Sequence, residues 1–389
     1  MEDKKNLKKK TIISTLSLFF QSGYSAFLGL IANLVLTIIV SPKVFGVYFT
    51  TLSLISILNY FSDIGLAASL IQKKQITDED KKTAFTIQQI LILSLVMIGF
   101  LMTNFIINFY KLPQQGKYLY WSLLLSFFLS SLKTIPSIQL EKNLQFQKIV
   151  FVQIIENTLF YLSVIFLAIL KFDINSFTIA VFIRSLIGVI LIYIISFWKI
   201  SFGVNKEVLK KLLSFGLPFQ TSSLLALIKD DLLILYLGKV LGFEVLGYLG
   251  WAKKWAEAPI RIIMDNLSKV LFPLFSQLQD NKDKLKNIIE KAIYYQSSII
   301  IPSILGLIFI MPKLIFIIPK YNKWFEALPY FYLFSLSSLF SSYSTPFINL
   351  LNGIGKISAS FKFMIFWTIA TWILTPILTF FLPRIWFSY

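Results

Sequence analysis

The chain contains no cysteine and no histidine. That removes disulfides, thiolate nucleophiles, imidazole bases and Cys/His metal sites together. Arginine is nearly absent: Arg184, Arg261 and Arg384 stand against 34 lysines. Charged residues of all kinds make up 14%, where a soluble domain carries roughly 25%. Chemistry, if any, would fall to carboxylates, Lys, Arg, Tyr or Ser, and no cofactor or metal is expected. A phosphate-binding loop is also missing. NGIGKIS at 352–358 resembles one, but the position that must be glycine, five before Gly355, is Leu350.

What remains is apolar. Hydrophobic residues make up 56% of the chain, with 39 Phe, and mean hydropathy is +0.74. Apolar stretches of about 20 residues can span a bilayer. Eleven occur, at 12–40, 44–71, 83–109, 117–138, 149–170, 174–198, 212–237, 243–275, 289–311, 324–351 and 360–382. The connections are too short to hold a soluble domain. The start, MEDKKNLKKK before the long run 11–40, reads as a retained first span rather than a signal peptide.

A net charge of +18 invites a nucleic-acid reading, but the distribution excludes it. With the N-terminus inside, the cytoplasmic segments carry twenty-one Lys, from Lys4 and Lys5 through Lys73 and Lys210 to Lys356 and Lys362. The opposite side carries nine, among them Lys43, Lys239, Lys320, Lys323 and Arg384. This is the bias that orients membrane proteins. It predicts a multi-pass protein of the inner (cytoplasmic) membrane with a cytoplasmic N-terminus.

The chain repeats internally. Phe20-Gln21 recurs as Phe219-Gln220, SPKVFGVY as GFEVLGYL, and Asp63 as Asp265, at offsets of 199, 201 and 202 residues. Both copies run the same way through the membrane. A parallel repeat of this kind is a transporter arrangement, with the substrate site between the halves. The expected lobes are 1–200, with six helices, and 201–389, with five. The second ends where a twelfth helix should begin, so we expect a chain truncated there rather than a natural eleven-span form.

The segment 250–271, GWAKKWAEAPIRIIMDNLSKVL, carries six charges on the eighth span. Intramembrane charges are costly and usually face a bundle interior or watery cavity. At 100° per residue, Lys254, Glu257, Arg261, Asp265 and Lys269 fall in a sector of about 120°, with Lys253 about 100° to the side. Lys254 and Arg261 lie about 15 and 27 Å along the helix, so they are substrate-binding candidates, with Lys253 beside them. Glu257 and Asp265 are expected partners that keep the cations tolerable. Lys269 reads as a cytoplasmic anchor. Trp251 and Trp255 flank the stripe, ready to stack on a sugar ring or anchor the helix at the interface. Pro259 predicts a mid-helix kink.

The seventh span holds Gln220, Lys229, Asp230 and Asp231. The two carboxylates pair with eighth-span lysines or fix the turn to Gly238; a cation or proton site is the sharper alternative. Asn33, Asn59 and Asp63, on the first two spans, should oppose these by the repeat. Asn59 and Gln220 join the substrate-binding set, and Asp63, Asp230 and Asp231 the ion-pair or coupling set. Glu156 and Arg184 are expected to form a buried salt bridge.

Three segments resemble the polysaccharide transporter family, the Wzx-type flippases of the multidrug/oligosaccharidyl-lipid/polysaccharide (MOP) exporter superfamily. They are SPKVFGVYFTTLSLISILNYFSDIGLAASLIQKK, EKNLQFQKI and the whole seventh–eighth span region from LSFGLPFQTSS to LFSQLQDNKDKL. The resemblance implies an all-α, MATE-like two-lobe bundle of about 11–12 helices here. It also implies a cavity lined by the first, second, seventh and eighth, and no enzymatic activity. The implied substrate is an undecaprenyl-diphosphate-linked oligosaccharide, flipped outward by alternating access. The implied partners are that lipid, membrane lipids and other polysaccharide-assembly proteins. A multidrug exporter or lipid II flippase of the same fold is a related alternative; a membrane glycan polymerase or glycosyltransferase is the alternative of another class.

Overall fold

A computed structural model describes residues 2–73, 75–279 and 281–381. Every regular element among them is helical. The helices are α1 (Glu2–Ile39), α2 (Pro42–Asp63), α3 (Leu66–Gln72), α4 (Asp78–Leu101), α5 (Thr103–Tyr110), α6 (Gln114–Leu132) and α7 (Thr134–Lys142). Then come α8 (Phe146–Ile169), α9 (Ile174–Ile195), α10 (Lys206–Lys229), α11 (Asp231–Gln277) and α12 (Lys282–Ile317). A short 3-10 turn (Asn322–Ala327) leads into α13 (Leu328–Gly353) and α14 (Ile357–Phe381).

All eleven expected spans fall on helices. Among the described residues eight helices are long and apolar enough to cross a membrane, or nine if α6 and α7 form one span bent by 42°. The remaining two expectations, 212–237 and 324–351, fall on α10 and α13. Lys206, Glu207, Lys210 and Lys211 charge the start of α10, and a run of serines dilutes α13.

The helices form two compact units. One comprises 1–36 and 47–239; the other comprises 37–46 and 240–389. Packing thus divides the chain later than the repeat does, and the 200/201 lobe boundary stands as a proposal about the repeat. Residues 37–46, joining α1 to α2, go with the second unit.

In the first unit, α6, α8 and α9 pack side by side. Hydrophobic burial drives helices together only weakly in lipid, so close contact and interhelical hydrogen bonds take over. Ser122 Oγ donates to the Thr178 carbonyl at 2.7 Å, Ser126 pairs with Ser185, and Gln89 Nε2 donates to Ser131 at 3.0 Å. A polar seam also holds α1 to α8: Tyr24–Thr158 at 2.7 Å, Asn157 Nδ2 to Ser25 at 3.1 Å, and Ser14 to the Leu144 carbonyl at 2.7 Å. α4 begins with a capping box, in which Thr77 and Asp80 satisfy each other's backbone N–H. Lys73 donates to the same carboxylate at 2.6 Å.

Two prolines explain where side chains must reach the backbone. A proline in a helix frees the carbonyl four residues earlier. Pro136 frees that of Leu132, at the α6–α7 bend, and the Tyr193 hydroxyl donates to it at 3.1 Å. Pro346 frees that of Ser342, and Gln296 Nε2 donates to it at 2.7 Å.

The repeat leaves a physical trace in the second unit. A β-carbon on Gly46 would overlap the carbonyl oxygen of Phe243, and one on Gly247 would overlap that of Pro42. Gly46 and Gly247 are 201 residues apart, as are Pro42 and Phe243. The contact is therefore reciprocal, each repeat copy offering a glycine to the other's backbone, as expected about a pseudo-two-fold axis.

Candidate functional site

α11 carries the charged stripe, and its backbone departs from helix only at Gly242 (φ 82°, ψ 172°). The expected kink at Pro259 is not where the break lies. Gly242 opens the repeat motif and tolerates positive φ, so the chain reorients there and then runs helically through the stripe.

Burial sorts the faces of this helix. Ala252, Ala256 and Pro259 are buried. At 100° per residue they centre about 180° from Lys254, Glu257 and Arg261. Packing fixes the first face, which leaves the charged one turned away from the unit's core. Arg261 donates to one Glu257 oxygen from Nε at 3.2 Å and from Nη2 at 2.9 Å. Lys253 Nζ lies 3.8 Å from the other oxygen. Lys254, half-buried, has no carboxylate within ion-pair reach among the described residues. Two cations thus share one carboxylate, and a third stands beside them without one among the described residues. Such a cluster is a poor place for another cation and a ready one for an anion, because Lys and Arg make strong charge-assisted bonds to phosphate oxygens.

Trp251 is not available to a sugar. It is 2% exposed and stacks on Trp324, with centroids 5.5 Å apart and planes at 14°. Its indole N–H donates to the Tyr321 hydroxyl at 3.1 Å. The expected sugar platform or interface anchor is therefore a core residue of the second unit. Its partners lie some seventy residues along the chain, which spacing along one helix does not reveal. Trp255 is half-buried.

Asn59, Asp63, Gln220, Asp230 and Asp231 lie apart from that cluster in the chain and belong to the first unit. Asn59 is exposed on α2. Asp63, expected deep in a span, is the last residue of α2. The helix ends there because Ile64 (φ 40°) and Gly65 (φ 78°) leave helical geometry, where a β-carbon on Gly65 would overlap the backbone of Gly216. Asp230 separates α10 from α11, its carboxylate 3.8 Å from Lys229 Nζ. Asp231 opens α11, where negative charge suits the helix dipole. The side chains of Asp63, Gln220 and Asp265, and that of Lys269, lie outside the described residues. No group of three or more acidic residues is placed to hold a metal ion among the described residues.

Glu156 does not pair with Arg184. Its carboxylate accepts from Lys133 Nζ at 2.6 Å, and Arg184 sits over the Phe160 ring at 5.7 Å. The α6–α7 bend at Lys133 brings that ammonium to α8. Any side chain at Gly188 would overlap the carboxylate, so the glycine makes room for it. Pro136, three residues after Lys133, was the available signal for this bend. Sequence reasoning also passed over Lys323, treated only as a topology charge; it donates to the carbonyls of Ile38 at 3.0 Å and Val40 at 2.7 Å.

Residues 35–329 match the family described as polysaccharide biosynthesis protein. The lipopolysaccharide biosynthesis protein WzxC of Escherichia coli (strain K12) is 25% identical over 350 residues, covering 88% of this chain and 69% of that protein. The succinoglycan biosynthesis transport protein ExoT of Rhizobium meliloti (strain 1021) is 21% identical over 338 residues, 87% of this chain and 68% of ExoT. Among solved structures, the lipid II flippase MurJ in an inward closed conformation superposes with a TM-score of 0.68 at 18% identity, over 92% of this chain and 79% of that one. An inward-facing multidrug resistance MATE family transporter gives 0.59 at 15%, over 91% and 84%. At these identities the two structures speak to fold alone. Family match, relatives and helical architecture agree: the chain is a multi-pass membrane protein that belongs to the polysaccharide biosynthesis protein family and shares the fold of MurJ and the MATE transporter.

Proposed function

We propose that this chain flips an undecaprenyl-diphosphate-linked oligosaccharide from the inner to the outer leaflet of the cytoplasmic membrane, by alternating access, for surface polysaccharide assembly. Its N-terminus is cytoplasmic in this reading, which the lysine distribution supports. The observation that carries the substrate class is the α11 stripe, where Lys253 and Arg261 share the carboxylate of Glu257 and Lys254 stands beside them with no carboxylate within ion-pair reach among the described residues. Lys254 is the group left to meet the diphosphate. Arg261, paired with Glu257, supplies the second contact. Asn59 and Gln220 are proposed glycan contacts, and Asp63, Asp230, Asp231 and Asp265 counter-charges or coupling groups. The chain performs no covalent chemistry in this reading; it moves its substrate.

A cationic-drug exporter would want the opposite charge balance on this helix. A lipid II flippase would share the diphosphate and differ in the sugar. Binding to the purified protein tests the reading. Undecaprenyl diphosphate should bind, and undecaprenol, its neutral counterpart, should bind at least roughly tenfold more weakly, the loss set by the charge-assisted bonds. Equal binding of the two would refute a diphosphate site.

A further inference from the structure

Arg184 stands at the middle of α9, one of the helices long and apolar enough to cross a membrane. At 1.5 Å per residue it lies about 15 Å from one end of that helix and about 17 Å from the other. Mid-span is where a charge is most costly in a bilayer. Arg184 is exposed, so its direction decides what it meets. The exposed apolar residues Phe182, Leu186, Ile190 and Ile194 form one stripe, the face suited to lipid. At 100° per residue, Arg184 points about 140° from the centre of that stripe. It points only about 45° from the centre of the buried residues, among them Phe177, Ala180, Val181 and Gly188. The helix therefore turns Arg184 towards its packed side. Ala180 and Gly188, about one turn away in either direction, are too small to cover it. An exposed guanidinium on the packed face marks a gap inside the unit.

The surroundings of that gap are rich in donors and poor in acceptors. The guanidinium lies over the Phe160 ring at 5.7 Å and makes no ion pair or hydrogen bond among the described residues. The carboxylate of Glu156, packed at Gly188, is taken by Lys133. Two hydroxyls, those of Tyr48 and Tyr161, lie within electrostatic reach of Arg184. Neither has a hydrogen-bond partner among the described residues. Packing holds both rings: Tyr48 lies against Phe177 with centroids 4.5 Å apart, and the Tyr161 hydroxyl abuts α1 at Gly29. All of these residues belong to the first unit. A guanidinium has five N–H donors and each phenol one. An oxyanion is the ligand that satisfies such a set, because Arg binds carboxylate and phosphate through paired hydrogen bonds.

We propose that Arg184, with the hydroxyls of Tyr48 and Tyr161, forms an oxyanion-binding site inside the first unit, separate from the α11 stripe, that takes a phosphate or an acidic-sugar carboxylate of the transported substrate. Its place in transport rests on the flippase reading above. The site itself does not, and its test uses no lipid-linked ligand.

The scarcity of arginine makes the test direct, since the chain has only three. The full chain in lipid nanodiscs is treated with 4-hydroxyphenylglyoxal, a water-soluble reagent for guanidinium groups, and adducts are located by mass spectrometry. Arg184 should be modified. Inorganic pyrophosphate or glucuronate, at matched ionic strength, should protect it, and neutral methyl glucoside should not. Protection grows as 1 + [L]/Kd, so about ten times Kd should slow modification about tenfold. Protection by pyrophosphate makes the phosphate the occupant; protection by glucuronate alone makes it the acidic sugar. Tyr48→Phe with Tyr161→Phe should leave Arg184 reactive and raise the protecting concentration severalfold. An unmodified Arg184 would overturn the site, and so would equal rates with and without both anions. In the Lys254→Ala/Arg261→Ala background protection at Arg184 should persist, so failure here and failure of the diphosphate reading are separate results.

Discussion

Trp251→Ala separates two roles for an aromatic beside a charged stripe. If Trp251 is core, its removal empties space between Trp324, Tyr321 and Phe331, whose rings lie 5.5, 6.1 and 6.2 Å from its own. A buried Trp→Ala change costs about 3–5 kcal/mol, cavity included. The lost N–H bond to Tyr321 leaves a buried hydroxyl short of one partner, which adds about 1 kcal/mol. At about 2–4 °C per kcal/mol for a unit of this size, the unfolding midpoint of detergent-purified protein should fall by at least roughly 8 °C. Trp251→Phe keeps most of the ring and loses the N–H bond, so it should fall by a fraction of that. The assay is thermal unfolding followed by intrinsic fluorescence or by loss of monodispersity, with lipid-linked glycan translocation measured alongside at low temperature. Unchanged midpoints with translocation abolished would refute the core assignment and restore the sugar platform.

Glu156→Gln should destabilise the first unit by about 3–5 kcal/mol, because it strands the Lys133 ammonium inside it. Adding Lys133→Met should recover part of the loss; a strictly additive double variant in thermal unfolding would contradict the pairing. A pH dependence follows from Lys323. Burial brings its ammonium down to about 8, with the neighbouring Lys320 charge adding to the effect. The two carbonyl bonds act in the opposite direction. The folded pKa lies below the unfolded one, so the neutral form is the better accommodated. Stability should therefore rise between pH 8 and about 10.4 and fall as pH drops through 8. Tyr321, which burial pushes up, stays protonated across most of that window. The difference in unfolding midpoint between the parent and Lys323→Met should grow from pH 7 to pH 9.5; a constant difference would contradict it.

The spans were legible because lipid imposes one rule: a continuous apolar run long enough to satisfy its own backbone. Every expected run became helix. Interruptions were harder to see. Pro136 did signal the bend at Lys133, but the end of α2 at Asp63 depends on Gly65 touching Gly216, some 150 residues away. The stripe on α11 was legible as a helical face, and Glu257 with Arg261 formed as the i, i+4 spacing allows. Partner choice across helices was not. Glu156 had Arg184 on the next helix and took Lys133 on an earlier one, because the α6–α7 bend aims it there. Trp251 misled for the same reason: its neighbours Tyr321 and Trp324 are remote in sequence. The repeat was legible at its glycines, and the reciprocal contact of Gly46 and Gly247 gives it a physical basis.

The central claim is that the α11 cations carry the substrate's diphosphate. Proteoliposomes holding Lys254→Ala/Arg261→Ala test it most directly, with correct insertion verified by protease protection. The account predicts that translocation of undecaprenyl-diphosphate-linked glycan is abolished while insertion and thermal stability persist. Translocation at the parental rate in the inserted double variant would contradict it.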